Sequence, residues 1–287
     1  MANPICLSPL KFYDALEKQE RYKSYAYGSI NPVVMPFNII LPFQFTIPRE
    51  THHFTSAILY DADTNTAIKN VLNELKEIGL TWKTTENCHV VMMPGIFPLK
   101  EIKQAGQYYI RIATDLAEYY SEVFCFTNSH EDYIEIEYWN QDSDFLINNG
   151  VISFANGFHF KILIKSELGK PEYIFEEEAT SKLGYTFVES QISKKVYKFN
   201  AILPEYICDA LRIIRMCSDK KLTCKGETYN MLSFEMDVDW QEQGDLASVN
   251  CEFEVDNIIA NIGGFMRAGS GDFNQDYNND FNKDYKK

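Results

Sequence analysis

The stretch Gly106–Asn128, GQYYIRIATDLAEYYSEVFCFTN, decides the fold class. Its first half alternates with a period of two. Tyr109, Arg111 and Ala113 fall on one face, and Tyr108, Ile110 and Ile112 on the other, as in a strand. Pairing of Gly106–Thr114 with Tyr119–Phe126 makes a hairpin, and that hairpin completes a sheet of the kind found in β-sandwiches. Upstream, PFNIILPFQFTI (36–47), HHFTSAILYDAD (52–63) and CHVVMMP (88–94) also read as strands. Between them, TAIKNVLNELKEIGL (66–80) carries Ile68, Val71, Leu72, Leu75 and Ile78 at helical spacing. A helix is expected there, capped by Asp63 or Thr64 and ended by Gly79.

Downstream the alternation returns. In YIEIEYW (133–139), Ile134, Ile136 and Tyr138 oppose Glu135 and Glu137. In GFHFKILIKSEL (157–168), Phe158, Phe160, Ile162 and Ile164 oppose His159, Lys161, Leu163 and Lys165. Strands follow in YIFEEEA (173–179), GYTFVES (184–190) and KKVYKFNAI (194–202), and again in KLTCKG, NMLSFEMDVDW and ASVNCEFEVDN. The clearest helix of this half is PEYICDALRIIRMC (204–217). Pro204 sits in its first turn, and Ile207, Leu211 and Ile214 form its stripe, with Met216 a candidate fourth member.

The expected fold is mostly β with a few short helices. Two β-sandwich or barrel-like domains stand in tandem, with an N-terminal arm and a flexible C-terminal tail. The boundaries read as 1–30 for an N-terminal helix and aromatic arm and 31–128 for a first β-rich domain. A second β-rich domain with one helix takes 129–262, and a low-complexity tail takes 263–287. Ser8-Pro9 starts the arm's helix, which runs to about Glu20, and Tyr22, Tyr25 and Tyr27 follow in extended chain. Those rings pack either on their own domain or on a neighbouring subunit. In the tail an Asp–aromatic pair recurs every four residues, placing Phe273, Tyr277, Phe281 and Tyr285 at fixed spacing. Such a segment is either solvated or ordered on a partner.

Composition narrows function by exclusion. The 287 residues carry 41 acidic against 27 basic side chains, a net charge of −14, which argues against a broad phosphate-binding face. No secretory signal and no apolar run long enough for a membrane span is read. Seven cysteines, an odd number without CxxC spacing, read as buried reduced thiols of a chain made in a reducing cytoplasm. No zinc spacing, nucleophile elbow, P-loop or dinucleotide fingerprint occurs, so no catalytic, cofactor or metal residue is assigned and a non-enzyme is expected. Asp61-Ala-Asp63-Thr-Asn65 begins like a calcium loop but has Thr66 in place of the turn glycine and Leu72 in place of the bidentate Glu. It reads instead as a strand-to-helix turn. Glu176, Glu177, Glu178, Asp142 and Asp144 read as solvated charge. Trp82, Trp139 and Trp240 could together form a glycan-stacking face.

Several stretches, in order, resemble virion proteins of tailed bacteriophages and prophages of gut Bacteroidales, crAss-like phages included. They are KFYDALEKQERYKSYAYG leading to LPFQFTIPRE, then SAILYDADTNT, VVMMPG and GQYYIRIATDLAEYYSEVF. IEIEYWNQDSDF, FHFKILIKSELGKPEYIFEEEA, GYTFVESQISKKVYKFNAILPEYICDALR and LASVNCEFEVD continue the series, which covers most of residues 8–257. The resemblance implies a structural subunit of the tail: a ring, hub or baseplate-like protein found in the virion. Its expected partners are further copies of itself and other tail proteins. No membrane span and no sequence-specific nucleic acid is implied, although such a ring can be a passive conduit for DNA. The candidate interface residues are Tyr22, Tyr25, Tyr27, Phe273, Tyr277, Phe281 and Tyr285. The alternative is a receptor- or glycan-binding β-sandwich module of a phage or prophage. The Asp–aromatic tail departs from the family pattern.

Overall fold

A computed structural model describes residues 8–16, 32–99, 106–129, 131–147, 150–182, 185–240 and 246–261. The first strands are β1 (Phe12–Asp14), β2 (Val33–Pro36), β3 (Ile39–Ile40), β4 (Phe43–Pro48), β5 (Phe54–Asp61) and β6 (Thr66–Asn70). After the helix Leu72–Glu77 come β7 (Thr81–Thr84), β8 (Cys88–Met93), β9 (Phe97–Pro98), β10 (Gln107–Thr114), β11 (Glu118–Ser121) and β12 (Phe124–Thr127). The second half holds β13 (Tyr133–Trp139), β14 (Asp144–Ile147), β15 (Gly150–Ser153), β16 (Phe160–Lys165), β17 (Glu172–Lys182) and β18 (Tyr185–Pro204). The helix Glu205–Ile214 then leads to β19 (Asp219–Cys224), β20 (Glu227–Asn230), β21 (Glu235–Trp240) and β22 (Leu246–Asn261). The chain is mostly β, as its alternation implies.

Strand β10 anchors the first sheet. Along one side it pairs with β5, from Tyr108↔Asp61 to Thr114↔Phe54. Along the other it pairs first with β11 and then with β12, so the hairpin read from Gly106–Asn128 forms, in two pieces. Arg111 faces Tyr120 and Gln107 faces Cys125, so the return limb carries one extra residue. At that bulge the Glu122 carboxylate accepts the Tyr13 hydroxyl at 2.7 Å, and the Glu122 N–H donates to the Lys11 carbonyl. The bulge thereby ties down β1, which pairs with β11 as Phe12↔Ser121. Here the structure corrects the sequence: Phe12–Asp14 is an edge strand, where a helix from Ser8 is expected. Burying both Phe12 (0% exposed) and Tyr13 (3%) on opposite faces requires a strand.

A second sheet, β4-β8-β7, covers the inner face of the first. Phe12 stacks on Phe45 at 4.2 Å and meets Phe43 at 5.0 Å, and Phe45 reaches Tyr119 at 5.5 Å. Phe54 meets Trp82 at 4.8 Å. This is a sandwich with an aromatic core. On the outer face Tyr60 stacks on Tyr109 at 4.9 Å, with the Arg111 guanidinium over the Tyr60 ring.

The predicted helix over 66–80 is also shortened. Thr66–Asn70 is strand β6, paired with β5. The turn explains it: Asp61 Oδ1 accepts the N–H and hydroxyl of Thr64, both at 2.8 Å, and Asn65 takes φ 53°. Thus Asp61–Asn65 closes a hairpin, where a strand-to-helix turn is expected. Only Val71, Leu72 and Leu75 of the predicted stripe are buried; Ile68 is exposed. Asn70 Oδ1 accepts the Leu72 N–H, and Gly79, at φ 106°, ends the helix.

In the second half, β13 lies between β16 and β19 with β20 outside, and Ile134, Ile136 and Tyr138 are fully buried. The helix Glu205–Ile214 buries Ile207, Leu211 and Ile214, whereas Met216 stands beyond its end, exposed. The Gln44 amide on β4 bonds the backbone of Ser153 on β15 twice, each at 2.8 Å, and Lys83 meets Asp144 at 2.7 Å. These bonds cross residue 128, where a domain boundary is expected. Contacts group the chain in another way, with Met1–Lys170 and Tyr197–Phe253 as one compact unit and Pro171–Val196 with Glu254–Lys287 as the other.

Replacing Phe45 by Ala should cost about 3–5 kcal/mol in urea unfolding, since its ring is wholly buried among aromatics. Gln44→Ala should cost about 1–3 kcal/mol in the same measurement, because Ser153 then loses both backbone partners.

Candidate assembly interface

Strand β17 of the smaller unit departs from the one-sided burial of the core strands. Strand β13 alternates buried and half-buried positions, as a sheet covered on one face must. In β17 every residue from Glu172 to Ala179 is exposed, on both faces. Strand β22 changes character along its length. Ala247, Val249, Cys251 and Phe253 are buried, whereas Asp256–Ala260 are exposed throughout. Strand β18 likewise buries Tyr197, Phe199, Ala201 and Leu203 at alternate positions, all within the larger unit.

The smaller unit's hairpin is well specified nonetheless. Pairing runs from Glu172↔Val196 to Lys182↔Tyr185, with a bulge between Glu178 and Ala179. Across it Lys194 meets Glu176 at 2.6 Å, the Gln191 amide donates to Glu177 at 2.7 Å and the Ser190 hydroxyl donates to Glu178 at 3.2 Å. The hydrogen bond to Glu176 lifts the Lys194 ammonium above its ordinary range. The acids are therefore tied to the neighbouring strand.

What the ribbon leaves in water is apolar: Tyr173 (62% exposed), Phe175 (75%), Ile258 (71%) and Ile259 (57%). Among the described residues its backbone edges are also open. Among the described residues β17 has β18 on one side and no strand on the other. Strand β21 stops at Glu235↔Glu252, so it does not reach Glu254–Asn261. Open edges flanked by large exposed apolar side chains are what strand addition from another chain uses. None of these residues was a sequence candidate. The signal was there, because YIFEEEA does not alternate.

The sequence candidates Tyr22, Tyr25, Tyr27, Phe273, Tyr277, Phe281 and Tyr285 lie outside the described residues. The three Trp residues belong to three different sheets. Trp82 on β7 packs on Phe54 and His89, Trp139 on β13 stacks on His159 at 4.2 Å, and Trp240 on β21 is 48% exposed. His89 is buried between the Thr84 hydroxyl and the Thr51 carbonyl, and Asp115 accepts the backbone N–H groups of His52 and His53. In the larger unit a cleft of about 600 Å³ is lined by residues including Val33, Cys125, Leu163, Pro204 and Ile207. No Asp or Glu lines it, so it is not the acidic pocket a carboxylate hydrolase requires.

Six cysteines among the described residues are free thiols, and all but Cys125 are buried. Burial pushes the Cys208 thiol up to about 11 and those of Cys217 and Cys251 up to about 12. On the outer face of β13 burial raises the Glu137 carboxyl, but the hydrogen bond from His159 at 2.8 Å and the Lys161 charge outweigh it. Its pKa lies below the ordinary glutamate value. Among the described residues no helix is long and apolar enough to cross a membrane.

No protein-family model matches the chain, and no curated protein does. Among solved structures, one similar chain comes from "Crystal structure of Dpr2 Ig1-Ig2 in complex with DIP-Theta Ig1-Ig3". It is 11% identical, with 82% of this chain and 94% of that one covered, at a TM-score of 0.16. A likeness that low carries no argument about fold or partner.

Cys208, Cys217 and Cys251 should resist a thiol reagent at neutral pH in the native chain and react at once in denaturant; mass spectrometry of the labelled peptides reads this directly. Glu137, with its lowered native pKa, contributes stability that is complete above the unfolded value. That contribution is lost as pH falls through the native value. Melting of wild type and Glu137→Gln from about pH 6 to about pH 3 should therefore converge at the acid end.

Proposed function

We propose that this protein is a structural component of a tailed-phage virion, a tail ring, hub or baseplate-like subunit without catalytic activity. It is made in the bacterial host cytoplasm, assembles with copies of itself into a ring, and docks other tail proteins. The observation that carries this reading is the two-edged ribbon of the smaller unit, with Tyr173, Phe175, Ile258 and Ile259 in water. Strands as exposed as Glu172–Ala179 and Asp256–Ala260 gain little stability alone, and their apolar side chains gain most when another chain covers them. The ordered resemblance across residues 8–257 supplies the biological setting. The net charge of −14 keeps such a subunit soluble before assembly and keeps DNA from adhering to a conduit wall.

Native mass by light scattering after size exclusion, with electron micrographs of the largest peak, should give a closed multimer with a central opening. Mass spectrometry of purified virions should find the chain; virions that lack it would overturn the assignment. Removing residues 268–287 should leave circular dichroism unchanged and lower incorporation several-fold. Normal incorporation of the shortened chain would remove the tail from the mechanism.

A further inference from the structure

We propose that the outer edge of β17 pairs with Glu254–Asn261 of β22 from a second copy, joining copies head-to-tail through one continuous sheet. This rests on the assembly reading above and names its interface. Charge decides which edges meet. Two β17 edges placed together would bring Glu172, Glu176, Glu177 and Glu178 of both copies to one seam, and like charges across strands repel. The β22 edge offers a different surface: after Glu254 and Asp256, the run Asn257-Ile258-Ile259-Ala260-Asn261 is uncharged.

Direction and length also agree. Strand β18 neighbours both β17 and β22, and β17 runs antiparallel to it. The ion pair Lys198–Glu252 at 3.3 Å and the ring contacts of Tyr197 and Phe199 with Phe253 set β22 alongside the start of β18's larger-unit segment. Lys194 senses the Glu254 carboxylate in turn, so residue numbers fall on one strand as they rise on the other. Strands β17 and β22 therefore point the same way, and a rotated copy presents β22 parallel to β17. The fully exposed stretch Glu172–Ala179 has the length of Glu254–Asn261. With their ends level, Tyr173 lies beside Val255 and Phe175 is flanked by Val255 and Ile259 on the same face, while the like-charged pair Glu172 and Glu254 falls at the end of the seam. An interface between two different edges is heterologous, and repetition with rotation closes a ring.

Two single blocks on the full-length chain test it. Phe175→Pro interrupts the first edge and Ile258→Pro the second. Sedimentation at increasing concentration should show each variant alone as a monomer, with self-association weakened on the order of 100-fold from wild type. A one-to-one mixture should give a heterodimer, since one intact edge of each kind remains, and nothing larger. Phe175→Arg and Ile258→Arg, which keep the backbone donors, repeat the test should proline melt the ribbon; unchanged near-ultraviolet dichroism confirms the aromatic core. Either blocked variant forming the wild-type multimer, a mixture that stays monomeric, or a wild-type chain that stays monomeric overturns the pairing. Virions that incorporate the blocked variants normally refute this interface and leave the virion role standing. A wild-type ring built through these edges but missing from virions refutes the role and leaves the interface.

Discussion

Strand β10 has to satisfy its backbone on both sides, and much of the larger unit follows from how it does so. Its neighbour β5 takes one edge along its whole length, while the other edge is shared between β11 and β12. Sharing one edge between two segments of a single hairpin limb forces an extra residue between them. That bulge puts Glu122 where it can hold β1 through Tyr13 and the Lys11 carbonyl. With β1 held, Phe12 faces inward onto Phe43 and Phe45, and the two sheets close on an aromatic core. A backbone requirement thus sets a side-chain packing arrangement.

Strands β18 and β22 each contribute residues to both units, and the two stretches of each differ in burial. Through Tyr197–Leu203 and Ala247–Phe253 they alternate between core and water. In the smaller unit β17 and the Asp256–Ala260 end of β22 lose that alternation. Strand structure there rests on backbone pairing and on polar contacts such as Lys194–Glu176, with little burial to support it.

The larger sheets were legible wherever one face meets a core. Ile134, Ile136 and Tyr138 alternate with Glu135 and Glu137, and the structure buries those three completely. The hairpin of Gly106–Asn128 was legible for the same reason, although its bulge was not. Legibility failed where two periods compete. In Thr66–Leu80 the apolar residues fit a helix, but the Asp61–Thr64 turn folds the first five residues, Thr66–Asn70, back onto β5. In the N-terminal segment a Ser-Pro start suggests a helix from Ser8, but pairing with β11 makes Phe12–Asp14 a strand and helix begins only at Ala15. Sequence reasoning places the candidate interface in aromatic segments outside the domains, whereas the exposed Tyr173 and Phe175 lie inside a regular strand.

By itself the sequence determined a mostly-β chain, the faces of its one-sided strands and an acidic surface. These follow from local periodicity and from counting charges. Tertiary structure alone decided how the sheets divide the chain into units, because bonds such as Gln44–Ser153 join residues 109 positions apart and leave no local trace. It also decided which strands remain uncovered. Exposure of Tyr173 and Ile258 depends on what lies beside them in space, and no pattern along the chain encodes an open edge.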